Sequence, residues 1–450
     1  MRRMRKSLLL AARSAACILL MLVVAACVAP LSPEERLDQG RDLPIRIYMP
    51  YGKPKVTKAS DDNLVLGTQS ESTLYNIQIW AFHHCEAGDE AADDQRSVAY
   101  CMIDDLRSGS GWRNNEQKPS GYYAHWDTDH ILTVHMFLPH SVTAMPDDEL
   151  RFDFYILANS TSIGFADLSS TTRGTLRSQV FGKSGNDDWF GTSTLVQDVP
   201  STGLPISGFF NTDKEGKHDG VDISFIKEGL SAVAKEDTTN FPVIQLSRAV
   251  SKVRFLFSRH TGMDDVTVDD IEITDYTSTT QATDGVIPRA SFVFPREDGT
   301  FLIPEGTTYD KATFAGTAGA PLLATADIGV SNDPAALRRT DNQTSQQYDY
   351  FVQTQLNPTP PAQKTMTQRV LYLRESDKPL KGRIHYTMGG RSYTATFSME
   401  GLASTELRRN HSWTVYAYFS EKEIHFYVDC FPWGSGGHIA LTGSVPAGAQ

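Results

Sequence analysis

Residues 43–49 read Leu43-Pro-Ile-Arg-Ile-Tyr-Met49, and they show the pattern that dominates this chain. The apolar side chains fall at every second position, namely at Leu43, Ile45, Ile47 and Met49. Successive side chains of a β-strand point to opposite faces, so this spacing places four apolar side chains on one face. The stretch therefore predicts a strand with one face on a core and the other in water.

The same period of two recurs along the chain and predicts further strands at residues 150–156, 253–257, 393–397 and 424–430. Clusters of Gly, Pro, Asn and Asp separate these segments, as is typical of β-sandwiches. Helical periodicity is scarce, and only residues 147–150 and 333–337 are expected to open a short helical turn. The prediction is an all-β protein with two tandem β-sandwich domains.

The domain boundaries follow from composition. Residues 235–242 form a polar segment that ends in Pro242, and a basic group of strands begins at Leu246. We therefore expect one domain over residues 43–240 and a second over residues 241–435, with a flexible tail at 436–450. The Gln-, Thr- and Pro-rich residues 342–363 are interpreted as a long loop inside the second domain.

The N-terminus has the features of a bacterial lipoprotein signal. A basic start, Met1 to Lys6, precedes the apolar run from Ala15 to Ala26, and small residues stand directly before Cys27. The run is shorter than the roughly 20 residues that a membrane-spanning helix needs. Residues 1–26 are therefore expected to be removed, with Cys17 among them. Cys27 would carry the lipid at the start of a linker over residues 27–42.

Charge limits the partners of the mature chain. The whole sequence has 42 Lys and Arg against 54 Asp and Glu, and the signal removes five basic residues and no acids. The net charge of the mature chain is then −17, which argues against nucleic-acid binding and against a basic membrane-docking face. No later segment resembles a membrane span, so the expected membrane contact is the lipid on Cys27.

Three cysteines follow Cys27, which means that they cannot all pair within one chain. Cys85 and Cys101 flank a polar stretch, and a disulfide between them is compatible with an oxidising compartment. The sequence does not give the Cα separation that decides this pairing. Cys430 lies on the apolar face of a predicted strand and is interpreted as a buried thiol.

No catalytic motif is found: GxSxG, HExxH, a P-loop and CxxC are all missing. Residues 125–130, His-Trp-Asp-Thr-Asp-His, carry four potential metal ligands but lack the EF-hand spacing, and we interpret them as a polar hairpin turn. His83-His84 beside Cys85 would need further zinc ligands, so it is interpreted as a strand end. No metal or cofactor is predicted.

Three segments of the sequence resemble those of a known protein family. They are Leu246-Ser-Arg-Ala-Val-Ser-Lys-Val-Arg-Phe255, Glu406-Leu-Arg-Arg-Asn-His-Ser-Trp-Thr-Val415 and Ile424-His-Phe-Tyr-Val-Asp-Cys-Phe-Pro-Trp433. Together with Ser70-Glu71 and the strands after it, they resemble the fimbrillins. These are the type V pilus subunits of Gram-negative gut and oral bacteria of the Bacteroidales type. The resemblance spans about residues 43 to 433 in the family's order.

This resemblance implies a fold and a mechanism. Family members are lipoproteins with two transthyretin-like β-sandwiches, and they are structural rather than enzymatic. In stalk and tip subunits an arginine-specific protease cuts after the first strand, and another subunit's strand fills the opened groove. Leu43, Ile45, Ile47 and Met49 would form the groove-filling strand here. The implied partners are other pilus subunits, the outer membrane through the lipid, and a ligand on a host or bacterial surface.

The sequence departs from the stalk pattern between the first strand and the next. Residues 51–72 contain Lys53, Lys55 and Lys58 but no arginine, so an arginine-specific cut is not available before Arg96. This favours a subunit that keeps its strand and lipid at the outer membrane, as the basal anchor does. Residues 438–442 would make a poor donor strand.

Two alternatives remain open from the sequence. One is a tip adhesin of the same pilus. The other is a surface lipoprotein that binds glycans, because aromatic side chains can stack on sugars and several stand close together, at Trp112, Tyr122, Tyr123 and Trp126.

Overall fold

The computed structural model describes residues 40–48, 71, 73–86, 93–103, 106, 123–128, 131–139, 141, 144–146, 149–160, 171–182, 195–196, 199–200, 203–212, 217–224, 243–263, 265–278, 281–282, 284–296, 303–333, 365–399, 406–420 and 424–432. Its strands confirm the predicted all-β fold. Each of the five segments with period-two alternation lies in or directly beside a strand.

The first sandwich is built from strands in the N-terminal half of the chain. They are β1 (Gly40–Tyr48), β2 (Ile77–His83), β3 (Ala99–Ile103), β4 (Tyr123–Thr128), β5 (Ile131–Pro139), β6 (Arg151–Ala158), β9 (Ile206–Phe210), β10 (Val221–Asp222), β11 (Val243–Gln245) and β12 (Ser247–Arg248). Strands β7 (Val180–Gly182) and β8 (Leu195–Val196) lie between β6 and β9 in the chain but pair with later strands. One sheet has the order β11-β1-β5-β4, and the other has the order β12-β9-β6-β2-β3 with β10 beside β6. Apolar side chains from both sheets form one buried core.

The second sandwich uses the later strands. They are β13 (Ser251–Arg259), β14 (Val266–Ile273), β15 (Tyr276–Ser278), β16 (Gln281–Ala282), β17 (Ile287–Pro288), β18 (Ala290–Phe292), β19 (Tyr309–Asp310), β20 (Ala312–Ala315), β21 (Gly329–Val330), β22 (Thr367–Leu373), β23 (Ser376–Pro379), β24 (Lys381–Met388), β25 (Arg391–Ser398), β26 (Glu406–Leu407), β27 (His411–Phe419) and β28 (Ile424–Pro432). The sheet β28-β27-β13-β22-β8 faces the sheet β20-β14-β24-β25 across a second core.

The two sandwiches interlock. Strand β8 pairs with β22, and β7 pairs with β18, so chain from the first half joins sheets of the second. Strands β11 and β12, which follow the boundary expected at residue 240, pair with β1 and β9 of the first sandwich. The connection to the second sandwich then runs from Arg248 to Ser251.

Helix is rare among the described residues. The α-helix α1 (Arg173–Arg177) starts at Thr172, whose side chain accepts a hydrogen bond from the Thr175 N–H, and a 3-10 turn covers Thr325–Asp327. In the part of the chain that the structure describes, no helix has the length and apolar character needed to cross a membrane.

The period-two alternation gave one wrong prediction, which concerns the faces of β6 and β13. The sequence predicted one solvated face for each strand, but nearly every side chain of β6 and β13 is buried on both faces. The second face of β6 contributes Tyr155 to an aromatic cluster that includes Trp80 and, from the second sandwich, Phe294. The Phe294 ring meets the rings of Trp80 and Tyr155 edge-on, at centroid distances of 6.1 and 5.3 Å. A face that looked solvated is thus covered by the other domain.

Candidate functional site

The first strand lies inside its sheet. Strand β1 pairs antiparallel with β5 over nine residues, from Gly40 opposite Pro139 to Tyr48 opposite Ile131. On its other side, residues 46–48 pair in parallel with β11. Strand β1 therefore has hydrogen-bonding neighbours on both edges, although it comes from the start of the described chain.

Three of the four predicted groove-filling side chains are fully buried. Leu43, Ile45 and Ile47 each have 0% exposure and belong to the core of the first sandwich. Their register partners on β5, namely Met136, Val134 and Leu132, are also 0% exposed. Full burial of such a side chain stabilises by about 1.5–3 kcal/mol. Removal of β1 would expose this apolar surface and the edge of β5, which is a template for another strand.

Met49, the fourth predicted member, lies outside the described residues, as do Cys27, the linker over residues 51–70 and the tail after residue 432. The lipidation and the strand-release hypotheses therefore stay predictions.

At the far end of that linker, Glu71 lies in a buried ionic cluster. Its carboxylate is 1% exposed, and Oε1 lies 2.9 Å from Nζ of Lys252, which is 0% exposed and belongs to β13. The Tyr372 hydroxyl of β22 also donates to Oε1. Glu71 thus joins the entrance of the first sandwich to two strands of the second.

The charge state of Glu71 follows from these contacts. Burial by itself would raise the pKa of Glu71. The positive charges of Lys252 and Arg248 and the hydrogen bonds from Tyr372 and Lys252 outweigh that effect and hold its pKa below the ordinary value. The carboxylate is therefore ionised at neutral pH. The cluster is a buried ion pair that joins the two sandwiches, rather than a site that exchanges protons.

Two of the segments that carried the family resemblance, residues 246–255 and 406–415, meet at this junction. Arg248 donates from Nε to the Glu71 carbonyl at 2.9 Å and from Nη1 to Oδ1 of Asn410 at 3.1 Å. The Asn410 N–H donates to the Val250 carbonyl at 2.8 Å, and the Ser251 hydroxyl to the Arg408 carbonyl at 2.7 Å. Asn410 adopts a left-handed conformation with φ of 57°, which an Asn tolerates better than most residues.

Arg409 ties the two sandwiches together a second time. Its Nη1 donates to the Val293 carbonyl at 2.9 Å and to Ser207 Oγ of β9 at 3.2 Å. The same guanidinium is paired with the carboxylate of Glu375. The planar guanidinium suits this arrangement, because its several N–H groups can donate to a carboxylate and to carbonyl groups at the same time.

A second buried ionic group lies on the face of β6 that points away from the first core. Arg173 Nη1 of α1 is 2.7 Å from Oδ2 of Asp153 on β6, and both side chains are almost fully buried. Nδ1 of His84 lies 2.7 Å from the other Asp153 oxygen, and the guanidinium stands 5.1 Å from the centre of the Phe82 ring. The interpretation of His83-His84 as a strand end fits this position, because β2 ends at His83.

The disulfide considered between Cys85 and Cys101 is not formed, although both residues are described. Cys101 of β3 lies opposite Ile79 of β2, while Cys85 follows the end of β2 six residues beyond Ile79. Cys85 lies beyond the end of β2, so the register does not place the two cysteines opposite each other as a disulfide requires. Burial raises the pKa of the Cys101 thiol to about 12.

The remaining candidate ligands contribute no site within the described ranges. Residues 123–128 form β4, which pairs antiparallel with β5, so residues 125–128 lie in a strand rather than in the expected hairpin turn. Residues 129 and 130 lie outside the described residues. Among the described residues no three His, Cys, Asp or Glu side chains group as metal ligands. Trp112 and Tyr122 lie outside the described residues. Cys430 lies opposite Trp413 in the pairing of β28 with β27.

Sequence reasoning missed the cluster around Glu71. The only signal was the pair of basic residues Lys252 and Arg254 at alternate positions of β13, with Arg248 shortly before them in β12. Basic residues at alternate positions indicate either a solvated face or buried ion pairs, and only the packing of the second domain separates these two cases.

No family model and no curated protein matches this chain. Among solved structures it is similar to a proposed cell adhesion protein from Parabacteroides distasonis, with 14% identity, 89% of this chain and 99% of that chain covered, and a TM-score of 0.45. It is also similar to the tip fimbrial protein Mfa3 from Porphyromonas gingivalis, with 11% identity, 87% and 99% covered, and a TM-score of 0.41.

A further similar structure is the fimbrial anchor protein Mfa2 from Porphyromonas gingivalis, with 8% identity, 88% of this chain and 97% of that chain covered, and a TM-score of 0.33. These three neighbours are fimbrial or proposed cell adhesion proteins.

Proposed function

We propose that this protein is a structural subunit of a cell-surface fimbria, held at the outer membrane by a lipid on Cys27 and lacking enzymatic activity. In this role it keeps its own first strand and stands at the base of the polymer. The observation that carries the proposal is the position of β1. Three fully buried side chains, Leu43, Ile45 and Ile47, fill the core between the two sheets from a strand that lies at the start of the described chain.

The chemistry of strand exchange supports this reading. A strand bound through backbone hydrogen bonds and alternate apolar side chains can be replaced by another of the same pattern. Removal of β1 exposes an apolar groove and the edge of β5, and both favour capture of a new strand. Residues 51–72 contain no arginine, so an arginine-specific protease has no site there at which to cut and start this exchange.

The anchor role is favoured over the tip role by the lack of arginine in residues 51–72. A tip adhesin whose strand is released would need a cleavable site in the linker. The rival class, a glycan-binding lipoprotein, rests on Trp112, Tyr122 and Trp126, and none of these side chains has a described position.

A cleavage experiment tests the proposal on the purified mature protein. The variant Lys58→Arg places one arginine in the linker, and the wild type is its matched control. Digestion with an arginine-specific protease should leave residues 42–50 joined to the domain in the wild type, because Arg36 and Arg41 precede the apolar part of β1 and Arg46 is paired inside the sheet. The same digestion should cut residues 42–50 off in the variant. Mild denaturant should then release the cut strand from the variant. A synthetic peptide of residues 40–50 should bind to the emptied groove when the denaturant is removed.

A control peptide with Leu43, Ile45 and Ile47 replaced by serine should not rebind to the cleaved variant. Equal binding of the two peptides would contradict strand complementation. Immunogold labelling of intact cells should place the protein at the base of surface fibres, and labelling spread along the fibres would contradict the anchor role.

A further inference from the structure

We infer that β1 is mechanically coupled to the domain junction through residues 243–248, so that loss of β1 loosens the contact between the two sandwiches. The coupling is a property of the fold and does not depend on the proposed function. It begins at β11, whose three residues pair with residues 46–48 of β1. Strand β11 lies at the end of its sheet, and among the described strands β1 is its ladder partner.

The chain then crosses from one sheet to the other within a few residues. Leu246 packs partly buried against the core of the first sandwich. Ser247 and Arg248 form β12, which pairs with Ser207 and Ile206 of β9 in the opposite sheet. Residues 243–248 therefore link the neighbour of β1 to the sheet that faces the second sandwich.

Arg248 ends this segment and is also the centre of the junction. It is 4% exposed, and its guanidinium holds the Glu71 carbonyl and the Asn410 side chain. The next residue, Ala249, donates its N–H to the Pro205 carbonyl at 2.9 Å, and Lys252 follows with its buried bond to Glu71. A shift of β11 would therefore be transmitted to a cluster of buried charges.

Buried charges make the coupling strong. A buried ion pair is stable only while its geometry is good, because each separated charge keeps a desolvation penalty of several kcal/mol. The cluster therefore does not accommodate small displacements smoothly. When β1 leaves, β11 loses its ladder and Leu246 loses part of its apolar surroundings, so the position of Arg248 is no longer fixed from that side.

Hydrogen exchange measured by mass spectrometry tests this coupling. The variant Ile244→Pro disrupts the β1–β11 ladder without touching the junction, and Asp222→Pro in β10 is its matched control, since β10 is also a short edge strand of the first sandwich. Peptides covering residues 246–254 and 406–412 should exchange about tenfold faster in Ile244→Pro. They should be unchanged in Asp222→Pro, and residues 381–398 should be unchanged in both.

A second variant keeps the test independent of how β11 tolerates proline. Ile47→Ala weakens β1 from its core face, and the same junction peptides should again exchange faster, together with residues 131–139 of β5. Faster exchange confined to residues 131–139, with the junction peptides protected as in the wild type, would overturn the coupling. Equal loosening of the junction in Asp222→Pro would also overturn it.

Discussion

Lys252 on the first strand of the second sandwich lies 2.9 Å from Glu71 at the entrance of the first, and both side chains are at most 1% exposed. This pair joins two domains at the residue that ends the linker after β1. A buried pair of this kind stabilises little in net terms, but removal of one partner leaves a charge in a medium that cannot solvate it.

The Glu71–Lys252 pair gives the first prediction. Lys252→Met should lower the free energy of unfolding by about 3–5 kcal/mol, because Glu71 keeps its charge without its nearest cation. The double variant Glu71→Gln/Lys252→Met should lose less than the sum of the two single variants. Chemical denaturation of all four proteins gives the coupling energy. Strict additivity would show that the pair is not a unit.

Acid should act through the same carboxylate. The pKa of Glu71 is lower in the folded protein than in the unfolded chain, so the unfolded chain takes up this proton first as the pH falls. The stability that the carboxylate contributes is complete above its ordinary pKa of 4.5 and is lost as the pH falls through the folded pKa.

Between about pH 6 and about pH 3 the wild type should therefore lose more stability than Glu71→Gln/Lys252→Met. Urea titrations of both proteins across this range measure the difference. Parallel curves for the two proteins would mean that Glu71 titrates alike in the folded and unfolded states.

Burial of the first strand predicts a cavity effect. Ile45→Ala should lower the free energy of unfolding by about 2–5 kcal/mol, since it removes a fully buried side chain from a packed core. Thr313→Ala, at an exposed position of β20 in the other sandwich, is the control and should stay within about 0.5 kcal/mol of the wild type. Similar values for both variants would contradict the packing of β1.

Asn159 gives a test of backbone geometry. It is buried with φ of 58°, and its side chain accepts from the Tyr75 N–H at 2.7 Å and donates to the carbonyls of Thr73 and Leu204. Asn159→Gly and Asn159→Ala both remove these bonds, but only alanine is strained in the left-handed region. The alanine variant should be less stable by about 1 kcal/mol in thermal or urea unfolding. The reverse order would contradict the positive φ.

The strands could be predicted from the sequence because their signal is local. Alternation at Leu43, Ile45 and Ile47 needs no knowledge of the rest of the chain. The same signal could not reveal that Lys252 is buried, because a polar side chain next to water and one next to a second domain give the same pattern. Helix α1 was missed because five residues are too few to show a helical period.

The pairing of Cys85 with Cys101 could not be decided from the sequence, because it depends on the register between strands. Whether Cys85 can reach Cys101 depends on which residue of β2 faces Cys101, and this is decided by pairing across the sheet rather than by spacing along the chain. The ionic cluster likewise joins residues that lie far apart in sequence, from Glu71 to Tyr372. The sequence therefore predicted only one part of the candidate site, namely strand β1, and did not predict the ionic cluster around Glu71.

The most direct test of the account is mass spectrometry of the N-terminus of the protein, taken from native cell envelopes and from sheared surface fibres. The account predicts a chain that begins at lipidated Cys27 and still contains residues 43–49. A chain that begins between residues 51 and 72, recovered from the sheared fibres, would contradict it, because that protein would have given up its first strand to enter the polymer.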